Sequence, residues 1–302
     1  NMNNIIFLGF VLAAFASPAF RLKDSDLVMT QEQIDHINQS QDSWTASSDW
    51  VGQMTIGEAR QYASAEIIYN FFPEKNWGKL LDHLQAPSAF DARQKWPSCI
   101  HPILNQGNCG SCWAFGASEA LSDRLCIFSN STINVVLSPQ YLVNCDSVSY
   151  GCGGGYAVYA WYFMQSNGIP SQTCTPYAAV NQVCNNKCSN GSTMQFYKAS
   201  SVNTFSSPAS IQAEVLQNGP IEVTFQVYQD FYSYTSGVYK HTTGNFVGNH
   251  SVKIVGWGVQ GQTNYWIVAN SWGASWGING FFWIAFGECG IDSNGVAGLP
   301  AV

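Results

Sequence analysis

The run Gln106-Gly107-Asn108-Cys109-Gly110-Ser111-Cys112-Trp113-Ala114-Phe115 sets a cysteine between a glycine-rich turn and an apolar stretch that continues to Leu125. Such a pattern leaves few options: the turn must end where a buried helix begins, with Cys112 in its first turn. A sulfur in that position faces unbonded backbone N–H groups and the positive end of the helix dipole, both of which favour thiolate over thiol. A thiolate nucleophile also calls for a partner base elsewhere in the chain. Two downstream blocks offer partners, Gly248-Asn249-His250-Ser251-Val252 and Asn270-Ser271-Trp272-Gly273. Of the five histidines, His36 and His83 fall in an N-terminal segment without cysteines, and His101 and His241 have no matching block around them.

Two plainer readings compete. Cys109 and Cys112 form a C-x-x-C that could be a redox pair or half a zinc site, but this leaves Gln106, Trp113 and the His and Asn blocks unexplained. A structural cysteine on a core helix is the other, and it leaves the same features idle. The Cys-Gly-Ser-Cys-Trp core, followed by His and Asn blocks roughly 130–150 residues later, resembles the papain family of cysteine peptidases, and within it the cathepsin B-like branch.

The resemblance implies an α+β, papain-like fold, with a helical lobe, a β-barrel lobe and the active cleft between them. It puts Cys112 on one wall as nucleophile and His250 on the other as acid and base. Asn270 would orient His250, Trp272 would shield that hydrogen bond, and Gln106 with the Cys112 amide would form the oxyanion hole. Gly154 and Gly155 would let a substrate backbone approach closely. The S2 pocket would be lined by Tyr156, Ala157, Thr224 and Ser251, with Asn294 where family members carry an acid. It further implies the disulfides Cys99–Cys126, Cys109–Cys152, Cys145–Cys184 and Cys174–Cys188, with Cys289 unpaired. No cofactor is expected, and no metal constellation competes.

The ten cysteines point to an oxidising compartment and a disulfide framework. Ile5 to Phe15, followed by small residues, reads as the core of a signal peptide over residues 1–19, too short to span a bilayer. Sequons at Asn38, Asn130 and Asn190 suit a secretory route ending in a lysosome, a vacuole or outside the cell; that at Asn249 is read as unused, because a glycan there would block the site. A net charge of −7 with no basic cluster excludes nucleic acid as a partner.

Residues 20–85 resemble an inhibitory propeptide, with helical composition from Asp24 to Gln41 and Thr55 to Asn70 and with Trp44 and Trp50 as anchors; an independent accessory domain is the alternative. Residues 86–302 form the peptidase domain. The pattern is helical from Cys112 to about Gln165, and a further helix runs from Ser207-Pro208 to Asn218. Strands are expected at Ile221–Val227, Ser251–Gly256, Tyr265–Ala269 and Phe281–Ala285, and helices followed by strands indicate α+β. His250 is expected at the start of its strand, and Gln106 in a solvent-exposed loop.

The family's cathepsin B-type members carry a histidine-bearing occluding loop that makes them dipeptide-releasing. Here only nine residues, none of them histidine, separate Cys174 from Cys184, so an endopeptidase is expected. Implied partners are protein and peptide substrates, the chain's own propeptide and cystatin-like inhibitors, with no membrane span. A catalytically dead homologue acting as a binding protein and a secreted redox glycoprotein are the alternatives; the pairing of Cys109 discriminates the latter.

Overall fold

The computed structural model describes residues 22–68 and 86–302, so the signal-peptide reading lies outside the described residues. The N-terminal segment forms α1 (Gln31–Ser40), β1 (Trp44–Ala46), α2 (Ile56–Tyr62) and β2 (Ala65–Glu66). Both helices are shorter than expected. Each starts at a capping box, Thr30 with Gln33 and Thr55 with Glu58, which fixes its first turn. The second stops at Tyr62 because Ala65 and Glu66 are drawn into a sheet, a tertiary contact overriding local propensity.

From residue 86 onward come β3 (Phe90–Asp91), α3 (Ala92–Lys95), α4 (Cys112–Phe128), α5 (Pro139–Cys145), β4 (Gly155–Tyr156) and α6 (Ala157–Ser166). The continuous helical pattern expected from Cys112 to Gln165 is thus three helices, cut where Ser138 caps a new helix with Pro139 in its first turn, and at the glycine-rich run Gly151-Cys152-Gly153-Gly154-Gly155. Then follow β5 (Asn203–Phe205), α7 (Pro208–Asn218), β6 (Ile221–Tyr228), β7 (Tyr234–Tyr239), β8 (Phe246–Gln260), β9 (Thr263–Ala269), β10 (Phe281–Ala285) and β11 (Gly295–Ala297). The sheet runs β1-β7-β10-β9-β8-β6-β11-β5, with β2 and β3 also on β8. The chain is therefore α+β, a helical lobe against a large mixed sheet.

Helix α4 is the beam between the two. Cys112 to Cys126 are all buried, so it has no solvent face, as expected of a helix apolar around most of its circumference. The charges it carries inward are paired. Lys253 of β8 reaches Asp123 at 2.7 Å and Glu119 at 3.5 Å, and Arg124 reaches Glu214 of α7 at 2.7 Å. Arg124 also donates to the carbonyls of Gly219, Pro220 and Gly298. Burial pushes the Glu119 carboxyl up to about 7 even beside Lys253. Removing one partner of such a pair would leave a buried charge uncompensated.

Four disulfides close the loops: Cys99–Cys126, Cys109–Cys152, Cys145–Cys184 and Cys174–Cys188. Cys112 and Cys289 are free. Among the described residues no helix is long and apolar enough to cross a membrane.

Candidate active site

Cys112 is the first residue of α4, at the end of the turn the sequence singles out. Its sulfur takes hydrogen bonds from the backbones of Ser251, Ser64 and Trp113, which favour the thiolate. Complete burial outweighs them and pushes the thiol up to about 11.

His250 is the fifth residue of the long strand β8, inside it and not at its start. The strand begins earlier because Phe246 and Gly248 already pair with β6. The Nε2 of His250 lies 2.7 Å from Asn270 Oδ1, which leaves Nδ1 as the free ring nitrogen, buried and without a hydrogen-bond partner. With Nε2–H donating to Asn270, Nδ1 is the atom able to accept a proton. Burial lowers the ring to about 4, against the opposing effect of the Asn270 bond. Trp272 lies over this pair, its ring 4.8 Å from that of His250.

Burial shifts both groups toward their neutral forms, and the N-terminal segment lies against this site. Ser64 sits at the Cys112 sulfur, and Ala65 pairs with Gly155 on one side and Asn249 on the other. Gly154, at φ +121°, faces the Ser64 carbonyl at a place where any Cβ would collide with it. Trp50 stacks on Trp272 at 5.4 Å. Trp44 is buried against Tyr234 and Tyr239, and its indole donates to the Lys240 carbonyl at 2.9 Å.

Gln106 is buried rather than exposed in its loop. Its Oε1 accepts from the Ser271 hydroxyl at 2.7 Å, which turns Nε2 toward the carbonyls of Cys109 at 3.0 Å and Gln61 at 3.4 Å. The amide donor is thus shared between its own turn and, at the longer distance, the N-terminal segment. Ser271, adjacent to Asn270, couples the two blocks, since its backbone N–H donates to Asn270 Oδ1. Its only sequence signal is its place between Asn270 and Trp272.

Of the S2 candidates, Thr224 and Ser251 are buried with their hydroxyls 2.8 Å apart, and the Asn294 carbonyl accepts the Thr224 N–H at 3.1 Å. Gly154, Gly155, Tyr156 and Ala157 lie along β4 and the start of α6, where residues 64–66 run. Sequence reasoning missed Glu222, two residues before Thr224 on the same strand face. One carboxyl oxygen accepts from the Trp161 indole at 2.9 Å and the other has no partner, while burial raises its pKa well above the usual range. A charged residue inside the apolar run Ile221–Val227 was the available signal.

Cys109 is bonded to Cys152, so no Cys109–Cys112 redox pair forms. Among the described residues no group of three or more His, Cys, Asp or Glu could hold a metal ion. What the arrangement can do is attack a carbonyl with sulfur, hold the resulting oxyanion with two N–H groups and shuttle a proton through an oriented imidazole.

Residues 86–299 match the model of the papain family cysteine proteases. The chain belongs to the papain family. Cathepsin B-like cysteine proteinase 5 of Caenorhabditis elegans is 36% identical, with 92% of each chain covered. Cathepsin B of Dictyostelium discoideum is 42% identical over 72% of this chain and 76% of its own. Among solved structures, proCathepsin B S9 from Trypanosoma congolense superposes with a TM-score of 0.86 at 31% identity, covering 91% of this chain and all of that one. This papain-family chain is therefore a cathepsin B-like cysteine protease, and its similarity to a proenzyme extends across the N-terminal segment.

Proposed function

We propose that the protein is a cysteine-type endopeptidase made as a latent precursor and sent through the secretory pathway. The observation that carries this is a free Cys112 at a helix start, its sulfur bonded by the backbone of Ser251 next to the Asn270-oriented His250, with the chain's own Ser64 at that sulfur and Ala65 paired with Asn249. In the open enzyme, the Cys112 thiolate attacks the scissile carbonyl while Gln106 Nε2 and the Cys112 N–H hold the oxyanion. His250 then protonates the leaving amine, and water, deprotonated by His250, releases the acid from the thioester. Residues 20–85 act as the propeptide, residues 1–19 as the signal peptide, and the mature chain starts near Ala86. Protein and peptide substrates, the propeptide and cystatin-like inhibitors are its partners, and a lysosome, a vacuole or the exterior is its destination.

Endopeptidase action rests on the short Cys174–Cys184 loop, which has no histidine and is stitched to α5 by hydrogen bonds from Gln140 to Val180 O and from Gln182 N to Asn144. An internally quenched peptide with a free C-terminus and its amidated twin test this reading. Acid-activated enzyme is expected to cut both internally at equal rates, with an epoxysuccinyl thiol-protease inhibitor abolishing both. Stepwise release of dipeptides from the free-acid form alone would overturn the endopeptidase reading, and inhibitor-insensitive cleavage would overturn the thiol mechanism.

The pocket chemistry gives a second expectation. Asn294 carries no charge to pair with a basic P2 side chain, and burial of Glu222 raises its pKa well above the usual range, which disfavours its charged form. Bringing an Arg into such a site without a partner costs roughly 1–3 kcal/mol, so neutral P2 residues are favoured by about 5- to 150-fold. Asn294→Glu is expected to restore Arg at P2. P2 library profiling decides it: a wild-type preference for Arg contradicts the expectation.

A further inference from the structure

The loop between Cys174 and Cys184 has a job that its sequence does not advertise. Its Tyr177 ring packs edge-on against Phe115 of α4, with centroids 4.7 Å apart, which carries its hydroxyl behind the turn Gln106–Ser111. There the hydroxyl donates to the Gln106 carbonyl at 2.7 Å and lies 2.6 Å from Ser111 Oγ. Because its one proton goes to Gln106, it accepts the Ser111 proton. Ser111 is the N-cap of α4, a position where serine normally bonds its side chain to the helix amides. It makes no such bond here; its hydroxyl is held by Tyr177 instead.

One phenol therefore grips both ends of the turn that carries the two oxyanion donors, the Gln106 amide at one end and the Cys112 N–H just past the other. Gln106 is also held by Ser271, through its N–H to Ser271 O at 2.8 Å and its Oε1 from the Ser271 hydroxyl, while its Nε2 donates to Cys109 O and Gln61 O. Without Tyr177 the Gln106 carbonyl would lose this bond from the helical side. The loop itself is well anchored for the purpose: Ala178 N donates to Gln140 Oε1 at 2.8 Å, and Cys152 N donates to Asn181 Oδ1 at 2.7 Å.

We propose that Tyr177 is a positioning residue for the oxyanion hole, so that the short loop braces the catalytic turn. This rests on the peptidase reading above. The test uses the acid-activated protein and Tyr177→Phe, which keeps the ring and removes only the hydroxyl. Expected are a kcat about 10- to 100-fold lower, below the 10²–10³ loss typical of deleting a donor outright, and a KM within about threefold of wild type. A peptide aldehyde, which forms an oxyanion-like adduct, is expected to lose affinity by the same factor, while the corresponding peptide alcohol binds as before. Alkylation of Cys112 by iodoacetamide is expected to stay within about threefold, since it builds no oxyanion. An unchanged kcat and aldehyde affinity would overturn the proposal, as would alkylation falling in parallel, which would place the effect on the nucleophile. If Tyr177→Phe folds poorly, Ser111→Ala, which leaves the bond to Gln106 intact, is expected to show a smaller loss of the same kind, and a larger one would overturn the assignment. Wild-type protein that neither turns over peptide nor binds the aldehyde would instead sink the peptidase reading, a distinguishable failure.

Discussion

Cys112→Ala is expected to lower peptide hydrolysis by about 10⁶-fold, the scale on which loss of a covalent nucleophile is felt, while the fold persists. The side chain is small and buried at the start of α4, and all four disulfides are made by other cysteines. His250→Ala is expected to cost nearly as much, and the double variant no more than either, because the two act as a unit. Asn270→Ala is expected to be milder, since it removes the acceptor that orients Nε2 and leaves both reacting groups. Hydrolysis of a quenched peptide by purified, processed variants measures all four. A Cys112→Ala protein cleaving at a rate near wild type would refute the mechanism.

The second large effect is on the sulfur itself. With the thiol pushed up to about 11 under the N-terminal segment, only about 10⁻⁴ of it is ionised at pH 7. Full-length protein should therefore be alkylated at Cys112 about 10³–10⁴ times more slowly than the processed form, in which water and the helix N-terminus support a thiolate–imidazolium pair. In the precursor the rate should climb tenfold per pH unit through pH 9, whereas in the processed form it should be nearly flat around neutrality. Mass spectrometry of iodoacetamide-labelled Cys112 reads both, and equal rates for the two forms would contradict the account. Since the closed pair (thiol and imidazole) and the open pair (thiolate and imidazolium) hold the same number of protons, opening is not driven by acid through these two groups. Glu58 caps α2 through Thr55, and those hydrogen bonds hold its pKa below the usual carboxylate value. Its contribution is present above pH 4.5 and is lost as pH falls through the depressed value, which loosens α2.

The legibility of the chain was uneven for physical reasons. The Gln106–Phe115 run, the His250 and Asn270 blocks and the first-turn proline at Pro139 announce themselves because local geometry dictates their residue types. The family, the α+β class and four of the barrel strands follow from them. Strands β5, β7 and β11 did not, since Tyr234–Tyr239 is interrupted by Gly237, a glycine that makes room for the backbone of Ser43 and Trp44. That requirement exists only in the assembled structure. Tyr177, Ser271 and Glu222 were missed for the same reason: each owes its place to a partner remote in sequence, Gln106 for the first two and Trp161 for the third.

The two-residue strand Ala65–Glu66 has a further consequence. It lies between β4, to which it is parallel, and β8, which Ala65 meets in antiparallel register. Its grip is largely main-chain, so the slot it fills is indifferent to which side chains the visitor bears. While residues 69–85 tether it, the segment faces its slot at an effective concentration in the millimolar range. A single cut near residue 85 adds no new contact and removes none, yet it turns that occupant into a free peptide governed by bulk concentration. For the proposed precursor, dilution is then expected to act as a trigger in its own right, since the severed segment holds its slot only while it stays concentrated.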